Sequence, residues 1–305
     1  MSKKAELTVE GRKLAVSNLD KLLYPKTGFT KGELINYYIQ IAPVLLPHLK
    51  DRPLTMKRYP NGVEGEFFYE KNCPSHRPKW VKTATVWSEG NKRDMQYCLA
   101  QDLPTLVWAA NLADIELHTS LSRKSNIARP TMMVFDLDPG APADIVQCCE
   151  VGLQLRDILA ALKLRSWAKT SGSKGLQIYV PLNTAVTYDE TKALSHALAE
   201  HLEREQPKLV VSKMAKALRK GKVFVDWSQN DEHKTTICVY SLRAKEQPTA
   251  STPLTWKEVE KAAKKKDAKS LTFHCKETVV RVEKLGDLFE EVETLKQKLP
   301  KKWKL

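Results

Sequence analysis

Met132-Met133-Val134-Phe135-Asp136-Leu137-Asp138-Pro139-Gly140 reads as an apolar strand that ends in two carboxylates. On a strand, positions i and i+2 share a face, so Asp136 and Asp138 point the same way while Leu137 turns into the core. Pro139-Gly140 stops the strand at once and leaves the pair at its rim. Adjacent carboxylates repel unless a cation lies between them, and hard oxygen donors suit Mg2+ or Mn2+. A polar strand end entering a turn is the plainer alternative.

A third carboxylate of the same kind follows in Val223-Phe224-Val225-Asp226-Trp227. Burying an unpaired charge costs about several kcal/mol, so Asp226 needs a positive partner, either a shared metal or an arginine of this basic chain. Three carboxylates on neighbouring strands are a usual way to hold two divalent ions roughly 4 Å apart for in-line phosphoryl chemistry. Between these strands lies Lys169-Thr170-Ser171-Gly172-Ser173-Lys174-Gly175. Small residues there let the backbone approach a triphosphate, while N–H groups, hydroxyls and a lysine donate to it. The chain has no G-x-x-x-x-G-K-[ST] loop, and an ordinary hairpin turn is the alternative. Arg219, Lys220, Lys222 and Arg243 are further candidate phosphate ligands.

The balance of charge agrees with such a substrate. Fifty Lys plus Arg against 36 Asp plus Glu leave +14 over 305 residues, which favours a polyanionic partner, nucleic acid first. A hydrophobic fraction of 42% and a charged fraction of 28% exclude wholesale disorder and collagen-like repetition. The length predicts one large bilobed unit or two tightly packed domains. The first residues lack the apolar stretch of a secretory signal, and no stretch reaches the about 20 apolar residues of a bilayer span, so the expected setting is intracellular, with no membrane partner. The six cysteines, at 73, 98, 148, 149, 238 and 275, show no disulfide framework and are expected reduced. Cys73-Pro-Ser-His76 lacks the second pair that a zinc site needs.

The N-terminal part predicts a hairpin around Gly11, then a helix started by the capping box Thr30-Lys31-Gly32-Glu33 and running to about Ala42 before Pro43. Short strands are expected over 54–58, 66–69, 83–87 and 95–99, a helix over 103–112 and a strand over 115–118. Further on, the pattern predicts strands over 131–137, 166–169, 176–180, 223–227 and 236–242. Helices are expected over 144–162 and 188–205, with a solvated lysine run over 261–269 and a helical cap over 278–299. Alternation on a strand forces one of Phe67 and Phe68 outward, where a ring beside lysines makes a stacking platform for a base. His118 is either an active-site donor or a structural strand-end histidine.

The order Phe-Asp-Leu-Asp-Pro-Gly, Thr-Ser-Gly-Ser-Lys-Gly-Leu and Val-Phe-Val-Asp-Trp resembles the polymerase domain of bacterial ligase D and its stand-alone relatives, in the archaeo-eukaryotic primase superfamily. Asn18-Leu19-Asp20-Lys21-Leu22-Leu23-Tyr24-Pro25, Glu116-Leu117-His118 and Tyr240-Ser241-Leu242-Arg243-Ala244 carry the resemblance from about Leu7 to Leu299. It implies an α+β primase-polymerase fold of two closely packed α/β lobes with a mixed or antiparallel catalytic sheet. The chain would be one domain over 1–305, with a DNA-end-binding lobe over 1–115, a catalytic lobe over 116–255 and a helical cap over 256–305.

The same resemblance implies roles. Asp136, Asp138 and Asp226 match the metal-binding catalytic triad for two divalent cations, Mn2+ favoured over Mg2+. Ser171, Ser173 and Lys174 match the triphosphate loop, and His118, Arg219, Gln229 and Arg243 other positions that contact nucleotide or primer end. Asn18, Lys21 and Lys31 match a pocket for a downstream 5′-phosphate, and Phe67 and Phe68 the template-stacking aromatics. Gln177 stands where a nucleotide-binding histidine is common, and it can donate to a phosphate but cannot carry charge.

The implied function is template-directed extension of primer ends and filling of short gaps at double-strand breaks, as in non-homologous end joining, using NTP or dNTP with ribonucleotides favoured. Implied partners are broken or gapped DNA, Ku and a separate ATP-dependent DNA ligase, with a DNA-mediated dimer, in a prokaryotic, nucleoid-associated cytoplasm. A primase that starts strands without a primer is one alternative. A catalytically idle end-binding module is another.

Overall fold

The structure, a computed structural model, describes residues 4–300 and residue 303. The chain divides into two compact units, each made of three separate stretches. The first comprises 1–125, 235–251 and 273–287, and the second 126–234, 252–272 and 288–305. This differs from three consecutive lobes, and the expected C-terminal cap is divided between the units. The cause is strand pairing that local pattern does not reveal. Thr236–Ile237 returns to pair with Asp114–Thr119, for instance, and Pro253–Leu254 pairs with Trp167–Thr170.

The sheet of the first unit runs in the order Thr236–Ile237, Asp114–Thr119, Leu54–Arg58, Arg93–Cys98, Thr83–Ser88, and Phe68–Glu70 also pairs with Leu54–Arg58. The helix Lys31–Leu49 begins at the expected capping box, with Thr30 accepting from the Glu33 N–H and Glu33 from the Thr30 N–H. It does not stop before Pro43. It continues through Pro43 and Pro47 because Leu45, His48 and Leu49 extend its buried stripe, which offsets the backbone hydrogen bonds that two prolines remove. His48 Nε2 lies 2.7 Å from Asp287 Oδ2 and holds the last turn.

Cys73 and Cys98 form a disulfide, which corrects the expectation that all six cysteines are reduced. The Cys73 N–H donates to the Gln96 carbonyl, and this contact brings together the two sulfurs, which lie 25 residues apart in sequence. Cys73 is therefore no zinc ligand, and the other four cysteines are buried and form no disulfide. No described helix is long and apolar enough to cross a membrane.

The sheet of the second unit runs Val210–Val211, Val223–Asp226, Met132–Pro139, Leu176–Pro181, Trp167–Thr170, Pro253–Leu254. Only the first pair is parallel, so this is the mixed, largely antiparallel sheet expected. Met132–Pro139 is central, and its Leu137 has no exposed surface. The helix Ile145–Ala161 lies on that face. A Cβ at its Gly152 would meet Leu176 Cδ2 at 3.0 Å and Leu137 Cδ1 at 3.6 Å, so glycine sets how near helix and sheet can come. The opposite face carries the carboxylates.

Candidate active site

Register places one row of side chains across four strands of the second unit. Asp136 stands opposite Asp226 on one side and Gln177 on the other, and Gln177 stands opposite Lys169. Directly opposed residues put their Cβ atoms about 5 Å apart on one face, and Asp138 shares that face two residues on. The Lys169 Nζ, on a residue with no exposed surface, donates to Gln177 Oε1 at 2.6 Å, and Gln177 hydrogen-bonds Asp136. Burial, then Asp138, then Asp226 push the Asp136 carboxyl up to about 7, against the pull of Gln177 and Lys169. This is the electrostatic signature of carboxylates crowded without enough positive charge.

Gln177 therefore lies beside the carboxylates and 3% exposed, between Lys169 and Asp136, rather than out in the glycine loop. Gln229 lies against the triad itself, its Nε2 donating to Asp226 Oδ2 at 3.0 Å, while the Ser228 N–H and hydroxyl donate to Asp226 Oδ1. Asp136 Oδ1 is buried with no hydrogen-bond partner. Three carboxylates, one with an orphaned buried oxygen, fit a hard divalent cation in donor chemistry and in strand position. Among the described residues no three side chains of His, Cys, Asp or Glu yet converge as metal ligands, consistent with Asp226 being engaged by Ser228 and Gln229.

The glycine loop closes against the same strand end. Ser171 Oγ accepts from the N–H groups of Ser173 and Gly175, and the Lys174 Nζ donates to the Pro139 carbonyl at 3.2 Å. A Cβ at Gly175 would lie 2.4 Å from the Leu137 carbonyl oxygen, so only glycine lets the loop sit this near Asp138. Ser173 and Lys174 are exposed, as a ligand-binding loop requires. Arg219 stacks over Phe224 at 3.8 Å and donates to the Met214 carbonyl. Its backbone meets the strand end at Gly140, where a Cβ would lie 1.9 Å from the Arg219 carbonyl oxygen.

The first unit holds a second constellation, centred on Glu116. Its carboxylate takes the His118 Nε2 at 3.0 Å, the Lys57 Nζ at 3.5 Å, the Arg243 Nε at 3.3 Å and the Ala244 N–H at 3.0 Å. Against the upward pull of burial, the hydrogen bond from His118 and the charges of Arg243, His118 and Lys57 hold its pKa down to about 2. An ionised carboxylate only accepts, so His118 bears its proton on Nε2 and offers Nδ1 as an acceptor. Burial lowers the His118 pKa, and Arg243 and Lys57 add to this, while Glu116 opposes.

Beside it, Phe67, Phe68 and Tyr69 are 50%, 44% and 55% exposed. Both phenylalanines face outward, because the strand starts only at Phe68 and Phe67, lying before it, escapes the alternation. The Lys57 Nζ lies 4.3 Å from the centre of the Phe67 ring, and the Arg58 guanidinium lies 5.0 Å from that of Phe68.

The N-terminal basic residues also converge. The Lys31 N–H donates to the Lys21 carbonyl, the Lys21 N–H to the Asn18 carbonyl, and Asn18 adopts φ 53° to make the turn. Lys31 is 5% exposed, and its Nζ has only the Asn111 carbonyl at 3.1 Å and Ser17 Oγ at 3.5 Å. Burial and then Lys21 lower its pKa. Neither lysine has an acidic partner among the described residues, which leaves a cationic pair available to an anion.

Sequence reasoning missed Glu116, Lys57 and Lys169. Each is a charge within a strand, as Asp226 is, but Leu54–Arg58 and Asp114–Thr119 hold other polar residues, which blunts the signal.

Three comparisons bear on this geometry. The family described as "LigD, primase-polymerase domain" matches residues 30–289. The chain is 39% identical over 278 residues to the multifunctional non-homologous end joining protein LigD of Mycolicibacterium smegmatis, covering 90% of this chain and 35% of that protein. It is 34% identical over 249 residues to the bifunctional non-homologous end joining protein LigD of Bacillus subtilis, covering 81% and 40%. The chain thus spans well under half the length of these relatives. A solved structure of the polymerase domain from Mycobacterium tuberculosis ligase D in complex with DNA superposes with a TM-score of 0.86 at 39% identity, over 94% of this chain and 99% of that one.

Proposed function

The chain belongs to the LigD primase-polymerase family, and on that footing we propose that it is a nucleotidyltransferase that copies template at broken DNA ends, extending primers and filling short gaps. The row Asp226, Asp136, Gln177, Lys169, with Asp138 beside the glycine loop, carries the proposal. Asp136, Asp138 and Asp226 would hold two divalent ions, Mn2+ in preference to Mg2+. Such ions, when bound, lower the pKa of a primer 3′-hydroxyl and stabilise charge on the α-phosphate and leaving pyrophosphate.

The protein's own groups do the rest. Lys169 and Gln177 fix the orientation of Asp136 from beside it. The exposed Lys174 and the hydroxyls of Ser171 and Ser173 take the triphosphate, with Arg219 as a further cation. His118, neutral with Nδ1 free to accept, is suited to a sugar hydroxyl. Phe67, Phe68 and Tyr69 stack on template bases, and Asn18, Lys21 and Lys31 take a downstream 5′-phosphate. The same proposal extends to ribonucleotide preference, to Ku and an ATP-dependent ligase as partners, to a DNA-mediated dimer and to a bacterial cytoplasm.

Primer extension on a gapped duplex tests it. Asp136→Ala with Asp138→Ala is expected to abolish extension while DNA affinity persists, and wild-type extension by that variant would remove the metal assignment. A catalytically idle end-binding module is the second reading, favoured by the engagement of Asp226 with Ser228 and Gln229. It predicts DNA binding with no incorporation under either metal.

A further inference from the structure

A groove of about 540 Å3 opens in the second unit at the sheet edge formed by Pro253–Leu254 and Trp167–Thr170. It starts at the opposite end of the strand Trp167–Thr170 from the glycine loop. Its walls include Trp167, Trp256, Arg156, Lys163, Arg165 and Ser166, and no acidic residue lines it. We infer that this groove is a binding site for single-stranded nucleic acid, separate from the triphosphate loop and from the Phe67–Tyr69 aromatics.

Two half-buried indoles supply faces for bases, and three cations supply partners for phosphates. The rings are held in place. The Trp256 Nε1 donates to the Ser166 carbonyl at 2.9 Å, and the guanidinium groups of Arg165 and Arg156 lie 4.8 and 5.3 Å from the ring centres of Trp167 and Trp256.

The cations are available to an incoming strand. Lys163 is exposed and has no ion pair among the described residues. Arg165 pairs with Glu291 and Arg156 with Asp157 and Glu260 outside the groove lining. Such exposed pairs are worth only about 0–1 kcal/mol and give way to phosphate. Charge at the C-terminus of the helix Ile145–Ala161 accounts for Lys163 by itself. It leaves the two tryptophans unexplained, whereas a nucleic acid strand uses both.

The test is anisotropy of a labelled oligo(dT), with polyglutamate as competitor. Lys163→Glu with Arg165→Glu, both at exposed positions, is expected to weaken oligo(dT) binding about tenfold at moderate salt, and Lys163→Gln alone to weaken it about two- to threefold. Irradiation of the wild-type complex with an iodouracil-substituted strand is expected to cross-link Trp167 or Trp256. Unchanged affinity in both variants, or cross-links confined to Phe67–Tyr69, overturns the inference. Displacement by polyglutamate at charge-equivalent concentration also overturns it, since that would make the groove an acidic-peptide site.

Discussion

Lys169 and Gln177 meet at 2.6 Å in the interior of the sheet, directly across neighbouring strands, and Gln177 passes the contact on to Asp136. A buried ammonium is costly unless it acts on a nearby negative charge, and here that charge is Asp136 together with its neighbours Asp138 and Asp226. Lys169 therefore holds Gln177, and through it Asp136, in place from within the protein.

Lys169→Met is expected to leave Gln177 without its donor and to lower Mn2+ affinity and extension about 10-fold or more, the usual cost of removing a group that orients a ligand. Mn2+ binding followed by electron paramagnetic resonance, with DNA affinity as a control, reads this. Undiminished Mn2+ affinity in a folded variant would mean that Lys169 only fills space. Gln177→Leu is expected to behave the same way.

Lys21→Ala with Lys31→Ala is expected to abolish the preference for a 5′-phosphorylated gap while reducing binding to unphosphorylated DNA much less. Lys31 is nearly buried and lacks an acid, so an arriving phosphate is its natural counter-charge. Equal losses on both DNAs would reduce the pair to ordinary backbone contacts.

Glu116→Gln is expected to lower the His118 pKa further, because the Glu116 charge is what favours the imidazolium. Nitrogen NMR of the imidazole is also expected to lose the fixed Nε2–H form. The stability effect has a defined pH window. The Glu116 pKa is lowered from 4.5 to about 2, so its contribution is complete above about 4.5 and disappears as pH falls toward 2. At neutral pH the loss should be on the order of 3 kcal/mol at most. A destabilisation that is the same at pH 7 and pH 3 would contradict this.

Asp114→Asn should stabilise the protein at pH 8. Asp114 has no exposed surface, and burial raises its pKa well above the usual carboxylate range, against the opposing charge of Arg58. The folded state therefore favours the neutral acid, and its stability falls as pH rises above the unfolded value near 3.8. Asparagine removes that penalty, for an expected Tm gain of about 2 °C or more at pH 8 and little at pH 4. Equal Tm shifts at the two pH values would count against the upward shift of the Asp114 pKa in the folded state.

What could be read from sequence was local. The strand Leu54–Arg58 and the helix Tyr188–Glu205 match their expected bounds, because alternation, capping and turn residues lie within the segment itself. Asp136 and Asp138 were legible as a pair for the same reason, since i and i+2 on a strand need no partner to fix their side. Gln177 was not, because its place depends on which strands flank Met132–Pro139 and in what register. The Cys73–Cys98 bridge and the Glu116 hub are likewise products of pairing between distant segments. The helix through Pro43 shows a local signal overruled by burial.

The interleaved units have a consequence for synthesis. Unit one draws on residues up to 287, and unit two on residues that include the helix Glu290–Thr294. A ribosome that has made residues 1–250 has thus synthesised every carboxylate of the triad but completed neither unit. The strand Pro253–Leu254, which borders Trp167–Thr170, is still to come. Closure of both units nearly together, once the stretch 252–294 has been made, is the folding order that this threading imposes.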